Sequence, residues 1–239
     1  MDRLRVLIPA AGLGSRAGLP YPKTLFPFHG SPILHRLLAV LGTYDTTPTV
    51  VVSTQGEPLI RESLQQAALD AHLVLQPEPR GMGDAVLRFE QSPTADSTQH
   101  ILLAWGDLAS LQPSTVSSLV EAHFCADNDF TFATRMVDNA YTTVLRDQAG
   151  RVISVAETRE QGVNDPKPGE RDIGLFVFRK QPVFGTLQLD QPGSVGEATG
   201  EHGFLYVIEH LVRSGYRIEA LKIATELDLI SLNALSDLQ

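Results

Sequence analysis

Glycines and two cations crowd the stretch after the first apolar run: Leu7-Ile8-Pro9-Ala10-Ala11-Gly12-Leu13-Gly14-Ser15-Arg16, then Pro20-Tyr21-Pro22-Lys23. Small residues directly after a buried strand let backbone N–H groups converge on an anion, because no Cβ blocks close approach. A phosphate is the natural guest of Ala10, Ala11, Gly12 and Gly14. Arg16 and Lys23 are the fixed cations that a triphosphate with developing charge needs. Two familiar phosphate loops do not fit. A dinucleotide turn, Gly12-x-Gly14-x-x-Ala17, requires a full helix starting inside it, yet Pro20 and Pro22 end any helix after about two turns. A Walker loop requires glycine where Pro22 precedes Lys23-Thr24. A loop laid over a nucleoside triphosphate remains, against the plainer alternative of a glycine turn with two solvated cations.

Two further side chains stand where such a loop could use them. Asp107 follows the apolar run 101–105 and Gly106, so a buried strand delivers its carboxylate to the same edge of the sheet. Mg²⁺ takes one or two carboxylates together with phosphate oxygens and water, which makes Asp107 a candidate metal ligand. The competing role, capping the next helix, is weakened because that helix begins only at residues 110–113. Gln76 ends another strand at this edge, and its amide offers a base both a donor and an acceptor. A strand-end amide bonded to backbone is the plainer reading.

The glycine stretch resembles the Leu-Ala-Ala-Gly-x-Gly-Thr-Arg…Pro-Lys signature of the sugar nucleotidyltransferases, the nucleoside-diphosphate-sugar pyrophosphorylases, with Pro9 for alanine and Ser15 for threonine. The likeness runs over essentially the whole chain and is strongest to the uridylyltransferase domain of the bifunctional N-acetylglucosamine-1-phosphate enzyme. It continues in Gln76-Pro77-Glu78-Pro79-Arg80-Gly81-Met82-Gly83-Asp84-Ala85, Trp105-Gly106-Asp107 and Asp172-Ile173-Gly174-Leu175-Phe176. A chain without the β-helical acyltransferase half of that enzyme is expected.

The resemblance implies an α/β, Rossmann-like nucleotide-diphospho-sugar transferase fold with a mostly parallel central sheet and an added hairpin. It implies a pyrophosphorylase activity using an NTP, with UTP favoured, a sugar 1-phosphate and Mg²⁺. Arg16, Lys23 and Asp107 then form the catalytic set, Gln76 and Gly81 hold the pyrimidine, and Glu157, Asp172 and Glu201 hold the sugar. Met82 and Asp84 replace the family's threonine and histidine. Asp172 stands for an asparagine, and the glycines and arginine before the hairpin are missing from 139–143. A cytidylyltransferase for a phospho-alcohol therefore stays open as an alternative, as does a catalytically weak nucleotide-sugar-binding regulator. The family completes its metal site with a C-terminal Asn or Asp. Counting back from Leu235 puts that position on Ile230, which cannot bind a hard cation, so Asp228, two residues earlier, becomes the second candidate ligand.

The elements that must position these residues alternate in type from the start. Strands are expected at 5–10, 49–53, 73–76, 101–104 and 174–178, each a short apolar run suited to burial on both faces. Prolines open helices at 32–44, 58–71 and 113–126, where a missing N–H costs nothing. A hairpin is expected around Asp147-Gln148-Ala149-Gly150, with strands at 130–136, 141–146 and 152–156 about it. A helix over 204–213 stops at Gly215, a strand covers 218–223, and a terminal helix follows. Residues 160–171 and 189–202 have loop composition.

The 239 residues suit one domain spanning 1–239, with 43% hydrophobic and 20% charged side chains. With 19 Lys and Arg against 28 Asp and Glu, the net charge of −9 argues against nucleic-acid backbone binding. Cys125 alone forms no intramolecular disulfide or cysteine cluster, and the first residues lack a signal-peptide run, so a cytoplasmic protein without membrane partners is expected. The hairpin is a candidate contact in a homo-oligomer.

Overall fold

The computed structural model describes residues 3–12, 18–158, 160 and 167–232. The chain opens with β1 (Leu4–Pro9), a small ladder of β2 (Pro27–Phe28) with β3 (Ser31–Pro32), and α1 (Ile33–Leu41). It continues through β4 (Thr49–Ser53), α2 (Glu57–Gln66), β5 (His72–Gln76), α3 (Met82–Leu87), β6 (His100–Ala104) and α4 (Pro113–Cys125). The second half holds β7 (Phe130–Val137), β8 (Thr142–Arg146), β9 (Val152–Glu157), β10 (Gly169–Arg179), α5 (Lys180–Leu187), α6 (Val207–Arg213) and β11 (Ile218–Leu221).

Seven strands form one sheet in the order β11-β7-β10-β6-β1-β4-β5. All run parallel except β10, which is antiparallel to both β6 and β7. The apolar runs explain the arrangement, since alternate residues of one strand serve opposite faces. Ile8, Val50, Val52, Leu102 and Ala104 face Leu34, Leu37, Ile60, Val116 and Leu119 of α1, α2 and α4. Leu7, Val51, Ile101, Leu103, Phe130 and Phe176 face Val86, Phe184, Ile208 and Leu211 of α3, α5 and α6. The mostly parallel α/β expectation holds, and so does the hairpin: β8 and β9 pair around a turn in which the Gly150 N–H reaches the Asp147 carbonyl at 2.9 Å.

Two expectations are corrected. Residues 169–171, expected in a loop, begin the long β10, because Gly169, Glu170 and Arg171 pair with β7 before a bulge after Asp172. Two short helices, α3 and α5, were hidden by Gly83, Pro182 and Gly185, which are poor helix formers. Buried contacts override them: Ala85 and Val86 fix the first, and Val183, Phe184 and Leu187 the second. The expected terminal helix falls on 233–239, outside the described residues.

A buried polar chain crosses the end of the sheet away from the glycine loop. His100 Nδ1 lies 2.9 Å from His123 Nε2, and His123 Nδ1 lies 2.9 Å from Thr131 Oγ1. Burial above all, then the nearby charges of His100 and Arg179, push the His123 imidazole from 6.5 down to about 3. Its neutral form therefore contributes stability that is complete above pH 6.5 and declines as pH falls toward 3. The limiting slope is about 1.4 kcal/mol per pH unit. Urea midpoints of wild type and His123→Gln should differ most near neutrality and converge as the buffer is acidified to about pH 4. A gap independent of pH would show that His123 is not held neutral.

Candidate active site

The carboxyl ends of β1 and β6 touch. The Gly106 N–H donates to the Pro9 carbonyl at 3.1 Å, and a Cβ on Gly106 would sit 2.5 Å from that same oxygen. Glycine is therefore required for Asp107 to emerge beside the loop that follows β1. Lys23 heads a 3-10 turn, Lys23–Leu25, closed by the Leu25 N–H on the Pro22 carbonyl at 2.9 Å. Its stem passes Gly12, where an added Cβ would lie 3.4 Å from Lys23 Cε. The ammonium ends on Asp107 Oδ2 as an ion pair and hydrogen bond. Lys23, Asp107, Ala10 and Gly12 are thus brought together as the sequence requires. Arg16 and Gly14 lie outside the described residues.

Asp107 is 7% exposed, and its Oδ1 has no hydrogen-bond donor. Thr24 Oγ1 and Trp105 Nε1 are buried orphans as well, beside Lys23 and Asp107 in sequence. A buried acceptor without a donor costs about 1–3 kcal/mol, so the free Asp107 oxygen marks a place built for something polar. A hard cation fits this donor set: an anionic oxygen is available, and Mg²⁺ draws the rest of its shell from phosphate and water. No group of three or more His, Cys, Asp or Glu able to hold a metal occurs among the described residues, so Asp107 would not be one of a protein cage. Sequence reasoning missed Arg36, whose Nε donates to the Ala109 carbonyl at 3.0 Å and pins the segment after Asp107. A lone arginine in a helix pattern gave no signal of this.

Asp228 does not join the set. It is fully buried, and its carboxylate accepts from the Gln112 N–H at 2.7 Å and from Thr115 Oγ1, the Thr225 N–H and Thr225 Oγ1, each at 2.8 Å. Four donors use both oxygens, so the residue ties residues 225–228 to the segment that opens α4. The Ala109 N–H donates to the Ile230 carbonyl at 2.8 Å, Leu108 bridges to Ser231, and the Leu232 N–H donates to the Asp107 carbonyl at 3.0 Å, so the chain runs beside Asp107 over 230–232.

At the far side of the sheet, Gln76 ends β5 and is 5% exposed. Its Nε2 donates to the Gly81 carbonyl at 3.0 Å and to Asp84 Oδ2 at 2.8 Å, while Arg88 grips Asp84 through Nη2 at 2.9 Å and Nε at 3.3 Å. Burial pushes the Asp84 carboxyl up, but hydrogen bonds from Arg88 and Gln76 and the Arg88 charge outweigh it and hold the group below the usual carboxylate range. Gly81 has φ +105°, and a Cβ there would collide with the His202 carbonyl and lie 2.8 Å from the His202 nitrogen. The His202 N–H donates to the Arg80 carbonyl at 2.7 Å, and the Gly83 N–H to the His202 carbonyl at 3.0 Å. The glycine expected to face a base instead has its missing side chain against the segment that carries Glu201.

The three carboxylates expected on the sugar side separate. Asp172 is 2% exposed, with Thr142 Oγ1 donating to Oδ2 at 2.5 Å and the Gly174 N–H to Oδ1 at 2.9 Å. Burial pushes its carboxyl up. It fastens the β8–β9 hairpin to the bulge of β10. Glu157 stands opposite Thr142 in that hairpin and is half-buried. Glu201 is exposed, next to His202. Glu160, which no motif singled out, accepts from Thr199 Oγ1 at 2.9 Å and the Ala198 N–H at 3.0 Å and holds the loop before Glu201. A groove of about 500 Å³ opens at the opposite edge of the sheet, lined by Glu90, Arg179, Lys180 and Phe184. Its cations are committed to Asp127, Asp129 and Glu90, so it offers an anion little.

Residues 6–168 match the MobA-like NTP transferase domain, and the chain belongs to that family. It is 37% identical over 185 residues to the bifunctional protein GlmU of Gloeobacter violaceus, covering 74% of this chain and 39% of that protein. The same protein from Burkholderia multivorans is 27% identical over 240 residues, covering 98% of this chain and 50% of the relative. The chain thus spans half the length of these relatives or less. Among solved structures, the inositol-1-phosphate CTP transferase from T. maritima superposes with a TM-score of 0.73 at 17% identity, covering 99% of this chain and 91% of that one. Nucleotidyltransferases of the nucleotide-diphospho-sugar transferase fold are therefore the structural class to which the chain belongs.

Two variants check these placements. Gly81→Val should displace the 201–203 segment, lower the melting temperature and speed amide exchange over 194–206, because the branched side chain meets backbone. Unchanged exchange there would show that the packing is not limiting. Asp228→Asn should cost about 1–3 kcal/mol of stability, since an amide cannot accept from four donors. Its Mg²⁺ titration of activity should match wild type, and a raised Mg²⁺ requirement would restore Asp228 as a ligand.

Proposed function

We propose that this chain is a nucleotidyltransferase that joins the nucleotidyl group of an NTP, UTP foremost, to a sugar 1-phosphate and releases pyrophosphate. The observation that carries it is the buried Asp107 oxygen without a donor, beside Lys23, at the mouth of a glycine loop. An oxygen of the acceptor phosphate attacks the α-phosphorus in line, the α–β bridging P–O bond breaks, and its electrons leave with pyrophosphate. No protein nucleophile is needed. The work of the chain is to hold two polyanions together and to meet charge where it builds.

The backbone of Ala10, Ala11 and Gly12 would cradle the triphosphate, with Gly14 continuing the cradle. Lys23 would leave Asp107 for the α-phosphate and the incoming phosphate, and Arg16 would clamp the β- and γ-phosphates. Asp107 would hold Mg²⁺ together with phosphate oxygens and water. When bound, that ion supplies charge neutralisation across nucleotide oxygens. Glu157 and Glu201 would accept hydrogen bonds from sugar hydroxyls, and Asp172 would support them from behind by fixing the hairpin.

A second reading, cytidylyl transfer to a phospho-alcohol, is favoured by one feature. Both Asp172 oxygens are occupied, so the sugar side has lost a contact where the amide of the sugar enzymes would stand. A pyrophosphate-release assay crossing four NTPs with phosphorylated sugars and alcohols decides between them. Release should require an NTP, an acceptor and Mg²⁺ together. Lys23→Ala should lower kcat by about 10²-fold or more in a chain that still folds, a larger effect than its loss of stability accounts for. NTP hydrolysis without acceptor as the main activity, or nucleotide binding without turnover on any acceptor, would sink the proposal.

A further inference from the structure

Gln76 meets two acceptors with one atom. Its Nε2 faces both the Gly81 carbonyl and Asp84 Oδ2, at 3.0 and 2.8 Å. Neither group has a proton to give, so the amide cannot be turned over: Oε1 in that place would set lone pairs against a carbonyl and a carboxylate. Asp84 is itself immobilised by Arg88 from one turn further along, through both Nη2 and Nε. An unconstrained amide at the end of β5 would offer either a donor or an acceptor to what lies beyond it. This one has only its oxygen left to offer.

We propose that Asp84 is the positioning residue of base selection: by holding Nε2, it turns the Gln76 oxygen alone toward the base, so the site takes the pyrimidine that places an N–H there. The proposal rests on the nucleotidyl-transfer reading and deepens it by naming how the nucleotide is chosen. Uracil and cytosine are complementary along that edge, since uracil has N3–H and an O4 acceptor where cytosine has an N3 acceptor and a 4-amino donor. Whichever of these positions Oε1 meets, one base forms a hydrogen bond and the other opposes two lone pairs. A site built around a hydrogen bond discriminates far more strongly than an apolar pocket of the same shape.

The test is the Kd of UTP, CTP, ATP and GTP by calorimetry with Mg²⁺, on wild type, Asp84→Leu, Gln76→Leu and the double variant. Asp84→Ala serves as a second variant that removes the acceptor without adding bulk, and melting curves check that each chain is folded. Wild type should bind one pyrimidine nucleotide at least about tenfold more tightly than the other. Asp84→Leu and Asp84→Ala should lower that ratio at least about threefold, because only the Gly81 carbonyl then holds the amide against turning over. In the Gln76→Leu background, Asp84→Leu should change the ratio by less than about twofold, which a merely structural role would not produce. A preference for a purine, a wild-type ratio kept in the Asp84 variants, or an equal shift with and without Gln76 would overturn the positioning role. Failure of the wild-type chain to bind any nucleotide would overturn the reading beneath it as well.

Discussion

Burying a carboxylate with one oxygen on a lysine and the other on nothing is costly, and the structure meets that cost at Asp107. The arrangement around it follows from this one constraint. Gly106 has to be glycine for β6 to close onto β1, and Lys23 has to cross Gly12 to reach the carboxylate. Arg36 and the 230–232 segment have to fix the backbone that follows, or Asp107 would relax toward water. Removing Lys23 without a replacement charge would leave both oxygens unpaired. Under the proposed function, the cation that would serve substrate phosphate also guards the site in its absence, and polyanion binding would exchange one set of charge contacts for another.

The other buried carboxylates show what Asp107 lacks. Asp45 accepts from Arg5, the Val6 N–H and the Thr47 N–H. Glu170 takes a bidentate grip from Arg146 together with Thr134 Oγ1, and Asp228 takes four donors. Asp172 has one donor on each oxygen. Each fastens one element to another, and each is satisfied without a ligand. Among the described residues Asp107 alone is a buried carboxylate with an orphaned oxygen, which separates it from the structural acids better than burial or charge does.

This contrast also marks where the sequence is legible and where it is not. The strands of the parallel half were visible because runs such as Val50-Val51-Val52 and Ile101-Leu102-Leu103 suit a sheet covered on both faces. Lys23, Asp107 and the glycine loop were visible because their types and spacing state a chemistry. What a carboxylate is paired with is a tertiary fact. Asp228 and Asp107 are indistinguishable as letters, and only the approach of Gln112, Thr115 and Thr225 makes the first a fastening between segments. The same holds for α3 and α5, whose glycines and proline are overruled by contacts with elements distant in sequence.

The glycines of Gly81-Met82-Gly83 carry the argument one step further. Gly81 was expected to lie against a base; the missing side chains of Gly81 and Gly83 leave room for the backbone of 202 and 203, with Glu201 beside them. Gln76, which reaches Gly81 and Asp84, is thereby linked through two backbone hydrogen bonds to the segment on which a sugar-side carboxylate stands. Glu160 fixes the same segment from the hairpin side through 198 and 199. A nucleotide settling against Gln76 and an acceptor settling against Glu201 would therefore act on one packed unit. Under the proposed function, the geometry of the two phosphates relative to each other would rest on these backbone contacts. That rigidity is what an in-line transfer without a protein nucleophile requires, because positioning is most of the catalysis the chain can supply.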